Sequence, residues 1–247
     1  MKTYSIFFSP TGGTKKVMDI LANGIGQEVE KIDLIKDKLK EVDFNKDDLC
    51  LIGVPSYGGR VPSVVVDMFK DIKGNGARAV IVVVFGNRAI DDTLVELQDV
   101  LEASGFVCAV GVEAVAEHSL MHQFGSGRPD KEDERELLSF AKKIVENTNT
   151  SVKFPGNRPY VKYDGVPLKP VVNKCCTSCG LCARECPVGA ISLDNPKIID
   201  NKKCISCMHC VAICPNKARS YSKLLTSVAS LAMKKACSER KENKLYI

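Results

Sequence analysis

No apolar run in this 247-residue sequence approaches the ~20 residues that a membrane-spanning helix needs. The longest clean run, Ala79–Phe85, has the length of a buried strand. The opening MKTYSIFFSPTGG is interrupted by proline and glycine too early for a secretory signal, so a cytoplasmic location is expected. Two phosphate-binding fingerprints are also missing. GxxxxGK[ST] does not occur, and no GxGxxG follows a predicted strand, since Gly24 and Gly26 fall after the first helix. With 45% hydrophobic and 26% charged residues the chain is an ordinary globular one. Collagen, coiled coil, membrane channel and secreted disulfide scaffold are excluded.

What the sequence does have is cysteine, 12 in all. Thiols stay reduced in the cytoplasm, so this number points to metal rather than disulfides. Cys176-x2-Cys179-x2-Cys182-x3-Cys186-Pro187 repeats 28 residues later as Cys204-x2-Cys207-x2-Cys210-x3-Cys214-Pro215. Three thiolates at this spacing wrap one iron–sulfur cubane, and the fourth cysteine of each run reaches the other cluster. Cluster one then takes Cys176, Cys179, Cys182 and Cys214, and cluster two takes Cys204, Cys207, Cys210 and Cys186. A pair of structural zinc sites is the alternative, but zinc favours two separated cysteine pairs over a CxxCxxC triple. Over residues 175–220 the pattern, with Gly180 and the CPVGAI run, closely resembles the bacterial dicluster ferredoxins, which implies two [4Fe-4S] clusters. Cys50 and Cys108 fall in predicted strands and read as core. Cys175 is out of register with Cys179, and Cys237 has no partner in view.

Charge is uneven. Residues 1–174 carry 23 basic and 25 acidic groups, residues 175–220 six and three, and residues 221–247 six and two. A basic C-terminal third suggests nucleic acid or an acidic partner. Each oxidised cubane with its four thiolates brings roughly two negative charges, which removes most of the support for nucleic acid.

The first 147 residues alternate strand and helix patterns. Strands are predicted at Thr3–Ser9, Val29–Leu34, Asp48–Pro55, Ala79–Phe85 and Phe106–Ala116, and helices at Thr14–Asn23, Pro62–Lys70, Asp92–Ser104 and Asp130–Asn147. Near-continuous apolar strands with interleaved helices predict a doubly wound α/β domain on a five-stranded parallel sheet. Ligands in such sheets bind beyond the carboxyl ends of the strands. The predicted organisation is an α/β domain over 1–147, a Pro-rich linker over 148–174, a small α+β ferredoxin domain over 175–220 and a C-terminal helical tail over 221–247. The tail helix spans about Ser222–Glu239 and ends in a charged, fraying stretch.

Ser9-Pro10-Thr11-Gly12-Gly13-Thr14 lies between the first strand and the first helix. Its glycines let backbone amides approach a phosphate, its hydroxyls donate, and the helix N-terminus favours an anion. A plain helix start is the alternative. The [S/T]-x-T-G-x-T pattern resembles the FMN phosphate loop of flavodoxins. That resemblance implies that Ser9, Thr11, Gly12, Gly13 and Thr14 bind the FMN phosphate. It also implies that Ser56, Tyr57, Gly58, Gly59 and Arg60 flank the ring, with Tyr57 stacking and the Gly58 carbonyl facing the flavin N5–H. Gly86, Asn87 and Arg88 would hold the other ring edge. An ordinary turn tyrosine is the alternative for Tyr57. With SPTGGTKK, YGGRVP, GNRAIDDTL and GRPD, the whole chain resembles the EFR-type ferredoxins, a flavodoxin-like domain fused to a dicluster ferredoxin. Single-domain flavodoxins carry acidic residues near the flavin; Arg60 and Arg88 here are expected to stabilise the reduced anion instead.

His118, His122 and Arg128 sit in a long loop after the fifth strand, either covering the flavin, supplying protons, or simply solvated. The tail, with Leu224, Leu225, Val228 and Leu231 at helical spacing, is expected to dock on its own domain by that face, the alternative being a membrane or partner. The function expected is electron transfer between FMN, two clusters and an external redox protein. The alternatives are an FMN-dependent oxidoreductase with its own small substrate and a redox sensor or interaction module. No nicotinamide site is visible.

Overall fold

The computed structural model describes residues 1–37 and 39–247. Five strands, β1 (Thr3–Phe7), β2 (Val29–Asp33), β3 (Leu49–Pro55), β4 (Arg78–Phe85) and β5 (Val107–Val115), pair in parallel in the order β2-β1-β3-β4-β5. This is the flavodoxin-like doubly wound order. The helices α1 (Gly13–Ile25), α2 (Ser63–Phe69) and α3 (Thr93–Ala103) lie between them in sequence, and α4 (Lys131–Glu146) follows β5. The strands β1, β3 and β4 are almost wholly buried because both faces of the sheet are covered. One core gathers Ile6, Ile52, Ile81 and Phe69 with Leu94 and Leu97 of α3. The other sets Leu51, Val80 and Val112 against Val17 and Leu21 of α1 and Leu137 and Ile144 of α4. Each such side chain stabilises the fold by roughly 1.5–3 kcal/mol relative to exposure.

The sheet has a sixth strand that the sequence pattern does not announce. At the C-terminus, β8 (Lys244–Tyr246) pairs antiparallel with β5, through Gly111↔Tyr246 and Glu113↔Lys244. The charged end expected to fray therefore covers what would otherwise be an exposed sheet edge. Electrostatics and one buried amide hold it there. Lys244 pairs with Glu113 at 3.4 Å, and Arg240 pairs with Asp130 at 2.8 Å. The Asn243 side-chain oxygen accepts from the Val115 amide at 2.8 Å.

The segment 148–170 is extended, as its prolines require, but not loose. The buried Asp92 carboxylate accepts the amides of Asn157 at 2.7 Å and Val161 at 2.6 Å. Burial opposes its ionisation, yet these amide bonds and the nearby Arg60 hold it below the usual carboxylate range. The second unit comprises β6 (Val171–Val172) and β7 (Arg219–Ser220), paired antiparallel, and two four-residue helices, α5 (Leu181–Arg184) and α6 (His209–Ala212). Helix α7 (Lys223–Cys237) follows. Its docking face differs from the expected one. Ala229, Met233 and Cys237 pack with Leu120, Met121 and Phe124, whereas Leu224 and Leu231 are 75% and 74% exposed.

Candidate redox site

The two cysteine runs adopt one backbone twice. Left-handed residues recur at an offset of 28 positions: Ser178 (φ 57) with Ser206 (φ 55), Gly180 (φ 76) with Met208 (φ 60), and Gly189 (φ 58) with Lys217 (φ 47). Four of the six are not glycine, and a non-glycine residue at positive φ is unfavourable, so the winding of each loop is imposed by something other than local preference. The fourth cysteines match as well. Cys186 Sγ accepts from the Ala190 amide and Cys214 Sγ from the Ala218 amide, both at 3.3 Å. Such N–H···S bonds stabilise the negative charge of a ligating thiolate. Burial pushes the Cys207 thiol up to about 11, and the His209 amide donates to its sulfur.

The halves differ in exposure. Cys179 is exposed, while Cys207 is partly covered and Cys210 is buried. The covering surface is the carboxyl end of the parallel sheet. Ile205 and Ser206 line a small cavity of about 150 Å³ together with Thr11, Gly13, Thr14 and Tyr57.

Across that cavity lies the start of α1. Gly12, at φ 89, supplies the turn and has no side chain with which to cap the helix. Ser9 Oγ accepts the Lys15 amide at 2.8 Å, and Thr14 is buried. The first two amides of α1, those of Gly13 and Thr14, are the ones placed to receive an anion. This cradle fits a phosphate group. In the second loop, Tyr57 and Arg60 close a tight turn on each other, with N···O distances of 2.9 and 3.2 Å. Gly58 is required there, because a Cβ would come within 2.2 Å of the Tyr163 ring. Burial first, then the charge of Cys207, drive the Tyr57 phenol far above its usual value, so it stays protonated. A larger cavity of about 940 Å³ opens beside this loop, with Gly58, Arg88, His118, Met121, Val228 and Met233 in its walls.

Residues 175–218 match the 4Fe-4S dicluster domain family. This segment is a ferredoxin unit for two four-iron clusters, and the chain has a redox electron-transfer role. No curated protein matches the sequence. Among solved structures, flavodoxin 1 from Bacillus cereus shares 20% identity, covers 60% of this chain and 100% of its own length, and gives a TM-score of 0.43. The flavodoxin of Streptococcus pneumoniae TIGR4 shares 19%, covering 59% and 99%, at a TM-score of 0.41. The two-electron reduced flavodoxin of Megasphaera elsdenii shares 19%, covering 58% and 99%, at 0.40. The flavodoxin-like fold stands on the strand order itself. Among the described residues no helix is long and apolar enough to cross a membrane.

The expected site residues divide. Thr11, Gly13, Thr14, Ser56, Tyr57, Gly58 and Gly86 line the small cavity, and Gly59 and Arg88 line the large one. Ser9 and Gly12 form the turn behind them. Arg60 faces elsewhere: its guanidinium holds Glu96 and lies 4.9 Å over the Tyr160 ring. Arg88 has a carboxylate partner too, Asp91. Asn87 is buried with its amide donating to the carbonyls of Cys237 and Glu239, so it anchors the end of α7. His118 is in both cavity walls; its Nδ1 accepts the amides of Leu120 and Met121 at 3.2 Å, and burial lowers its pKa to about 4. His122 is exposed and paired with Glu117, and Arg128 is buried against Asp133, so neither covers the site. Cys50 and Cys108 are core residues, and Cys237, the last residue of α7, is buried.

Sequence reading missed Ile205, Ser206 and His209. The signal was in the repeat: where the first run has Leu181, the second has His209.

Proposed function

We propose that the chain is an electron-transfer protein that holds FMN at the Ser9–Thr14, Pro55–Arg60 and Gly86–Arg88 loops and two [4Fe-4S] clusters on the eight repeat cysteines, and that it serves an external redox protein. The division into residues 1–147, 148–174, 175–220 and 221–247 belongs to this reading, with the last segment returning to the first. The observation that carries it is the shared cavity. Side chains of the cluster-two loop, Ile205 and Ser206, stand in one wall with Thr11, Thr14 and Tyr57 of the nucleotide loops. Cofactors on those two loops are neighbours, which suits passage of electrons within one chain. When bound, FMN accepts one or two electrons and each cubane one, so the pair joins a two-electron to a one-electron partner. The protein's part is placement: the Gly12–Thr14 start of α1 takes the phosphate, Tyr57 and Gly58 border the ring, and His118 stays neutral beside it. Anaerobic purification with iron, sulfide and flavin counted per chain is the test. About eight irons and one FMN support the reading; zinc, or no yellow chromophore, overturns it.

A second reading is favoured by the cavity of about 940 Å³ beneath α7. A carrier needs no space beyond its cofactors, whereas a largely apolar cavity of this size with a few polar groups is typical of small-molecule sites. In that reading the protein is an FMN-dependent oxidoreductase with its own substrate. Turnover of small acceptors by the photoreduced protein alone supports it, and turnover only with a partner protein supports the first.

A further inference from the structure

The second cysteine run is hydrogen-bonded to the nucleotide loop through the side chain of His209. His209 Nδ1 lies 2.9 Å from the carbonyl oxygen of Pro10 across 199 residues of sequence, and the contact is buried. A carbonyl only accepts, so Nδ1 carries a proton. Nε2 is itself buried with no partner among the described residues. The same residue's backbone amide donates to Cys207 Sγ. One residue thus binds a cluster-two sulfur with its main chain and the phosphate turn with its ring. Helix α6 begins at this residue, after Met208 in the left-handed region, so the ring direction is set by the winding of the cysteine loop. Met208 is buried among Leu120, Met121 and Leu168, which fixes the loop from the other side.

The repeat offers an internal comparison. The equivalent of His209 in the first run is Leu181, and the equivalents of Ile205 and Ser206 are Thr177 and Ser178, both exposed. Nothing joins the first run to the nucleotide loops in this way among the described residues.

We infer that cluster two is the cluster that exchanges electrons with the flavin, that His209 is the positioning residue at that junction, and that cluster one, at exposed Cys179, faces the external partner. This rests on the proposed FMN and dicluster reading. Passage across the junction oxidises the cluster by one electron and reduces the flavin by one, with no bond made or broken at His209. Loss of the Pro10 bond frees the phosphate turn relative to the cysteine loop; one buried hydrogen bond corresponds to roughly a fivefold to tenfold change in an equilibrium.

The experiment uses the anaerobic full-length protein as wild type, His209→Ala, His209→Asn and Leu181→Ala. It reads iron per chain, the FMN dissociation constant by fluorescence, and the rate of cluster-to-flavin equilibration after flash photoreduction. Expected for His209→Ala are unchanged iron, a roughly tenfold higher dissociation constant and a roughly tenfold slower equilibration. His209→Asn, which keeps a donor near Nδ1, regains most of both, and Leu181→Ala changes neither. The inference is overturned if His209→Ala matches wild type at full iron, if Leu181→Ala slows equilibration equally, or if His209→Ala and His209→Asn both lose iron. If only His209→Ala loses iron, a wild-type rate in His209→Asn sustains the inference and a slow one overturns it. Wild type lacking flavin refutes the underlying reading instead, before any variant is compared.

Discussion

Arg60 holds Glu96 at two points, Nη2 to Oε1 at 2.6 Å and Nε to Oε2 at 2.8 Å. Glu96 also accepts the Val61 amide at 2.8 Å, so its carboxylate is the hub that ties the second nucleotide loop to α3. A cation so paired adds little field at a neighbouring ring. The expectation that Arg60 raises the flavin potential gives way to a structural role. Arg60→Ala leaves a buried carboxylate unpaired. The expected loss is on the order of 2–4 kcal/mol, less than for a fully buried pair because Arg60 stays 27% exposed. Urea unfolding reads the loss. A stability unchanged within ~0.5 kcal/mol would refute this role.

His118 gives the site a pH dependence. Its folded pKa, about 4, lies below the ~6.5 of an unfolded chain, because burial disfavours the cation. Neutral His118 therefore contributes its full stability above about pH 6.5, and that contribution falls as pH drops toward 4. Two-dimensional NMR of the ring should show no titration between pH 7 and 5. His118→Gln should flatten the fall in thermal stability over the same window.

Replacing single cysteines sorts ligands from bystanders. Under the proposed ligand assignment, which puts both on cluster two, Cys207→Ser or Cys186→Ser should reduce iron from about eight to about four atoms per chain. Serine at Cys50, Cys108, Cys175 or Cys237 should leave iron unchanged. Equal iron loss from Cys175→Ser and Cys176→Ser would show that the register is wrong.

The closing strand should detach in acid. Arg240, followed by the Asp133 amide, holds the Asp130 carboxyl well below its usual range. A depressed carboxylate contributes stability above its unfolded pKa of ~3.9 and loses it as pH falls below that value. Hydrogen exchange of residues 240–247 should therefore quicken below about pH 4, before the parallel strands open. Asn243→Ala, which leaves the Val115 amide unpaired, should cost about 1–3 kcal/mol and expose the same segment at neutral pH. Identical protection in wild type and variant would contradict this.

Helix α7 has an inverted pair of faces. Leu224→Glu and Leu231→Glu, on the outward face, should change stability by less than ~0.5 kcal/mol. Met233→Glu, facing Leu120 and Phe124, should place a charge in an apolar contact and destabilise the chain by more than ~1 kcal/mol. The same cost from all three would show that the outward face is also packed.

The sequence by itself determined the elements whose cause is local. Ala79–Phe85 is apolar at every position, and only a strand covered on both faces accepts that. The cysteine spacing specifies two clusters because sulfur-to-sulfur reach along the chain is short and geometric. The glycine turn before α1 is local in the same way: Gly12 sits at φ 89 where the sequence places the turn. Tertiary structure alone decided what depends on distant partners. Lys244–Tyr246 becomes a strand because β5 offers unpaired amides, a fact recorded more than 100 residues away. Leu224 and Leu231 carry the helical spacing of a buried face, yet the crossing of α7 over the long loop selects Met233 and Cys237. Arg60 is expected to serve the reduced flavin, because nothing near it in sequence reveals its partner Glu96. His209 acquires its role from Pro10, 199 positions earlier, and chain order holds no record of which half of a symmetric repeat turns inward.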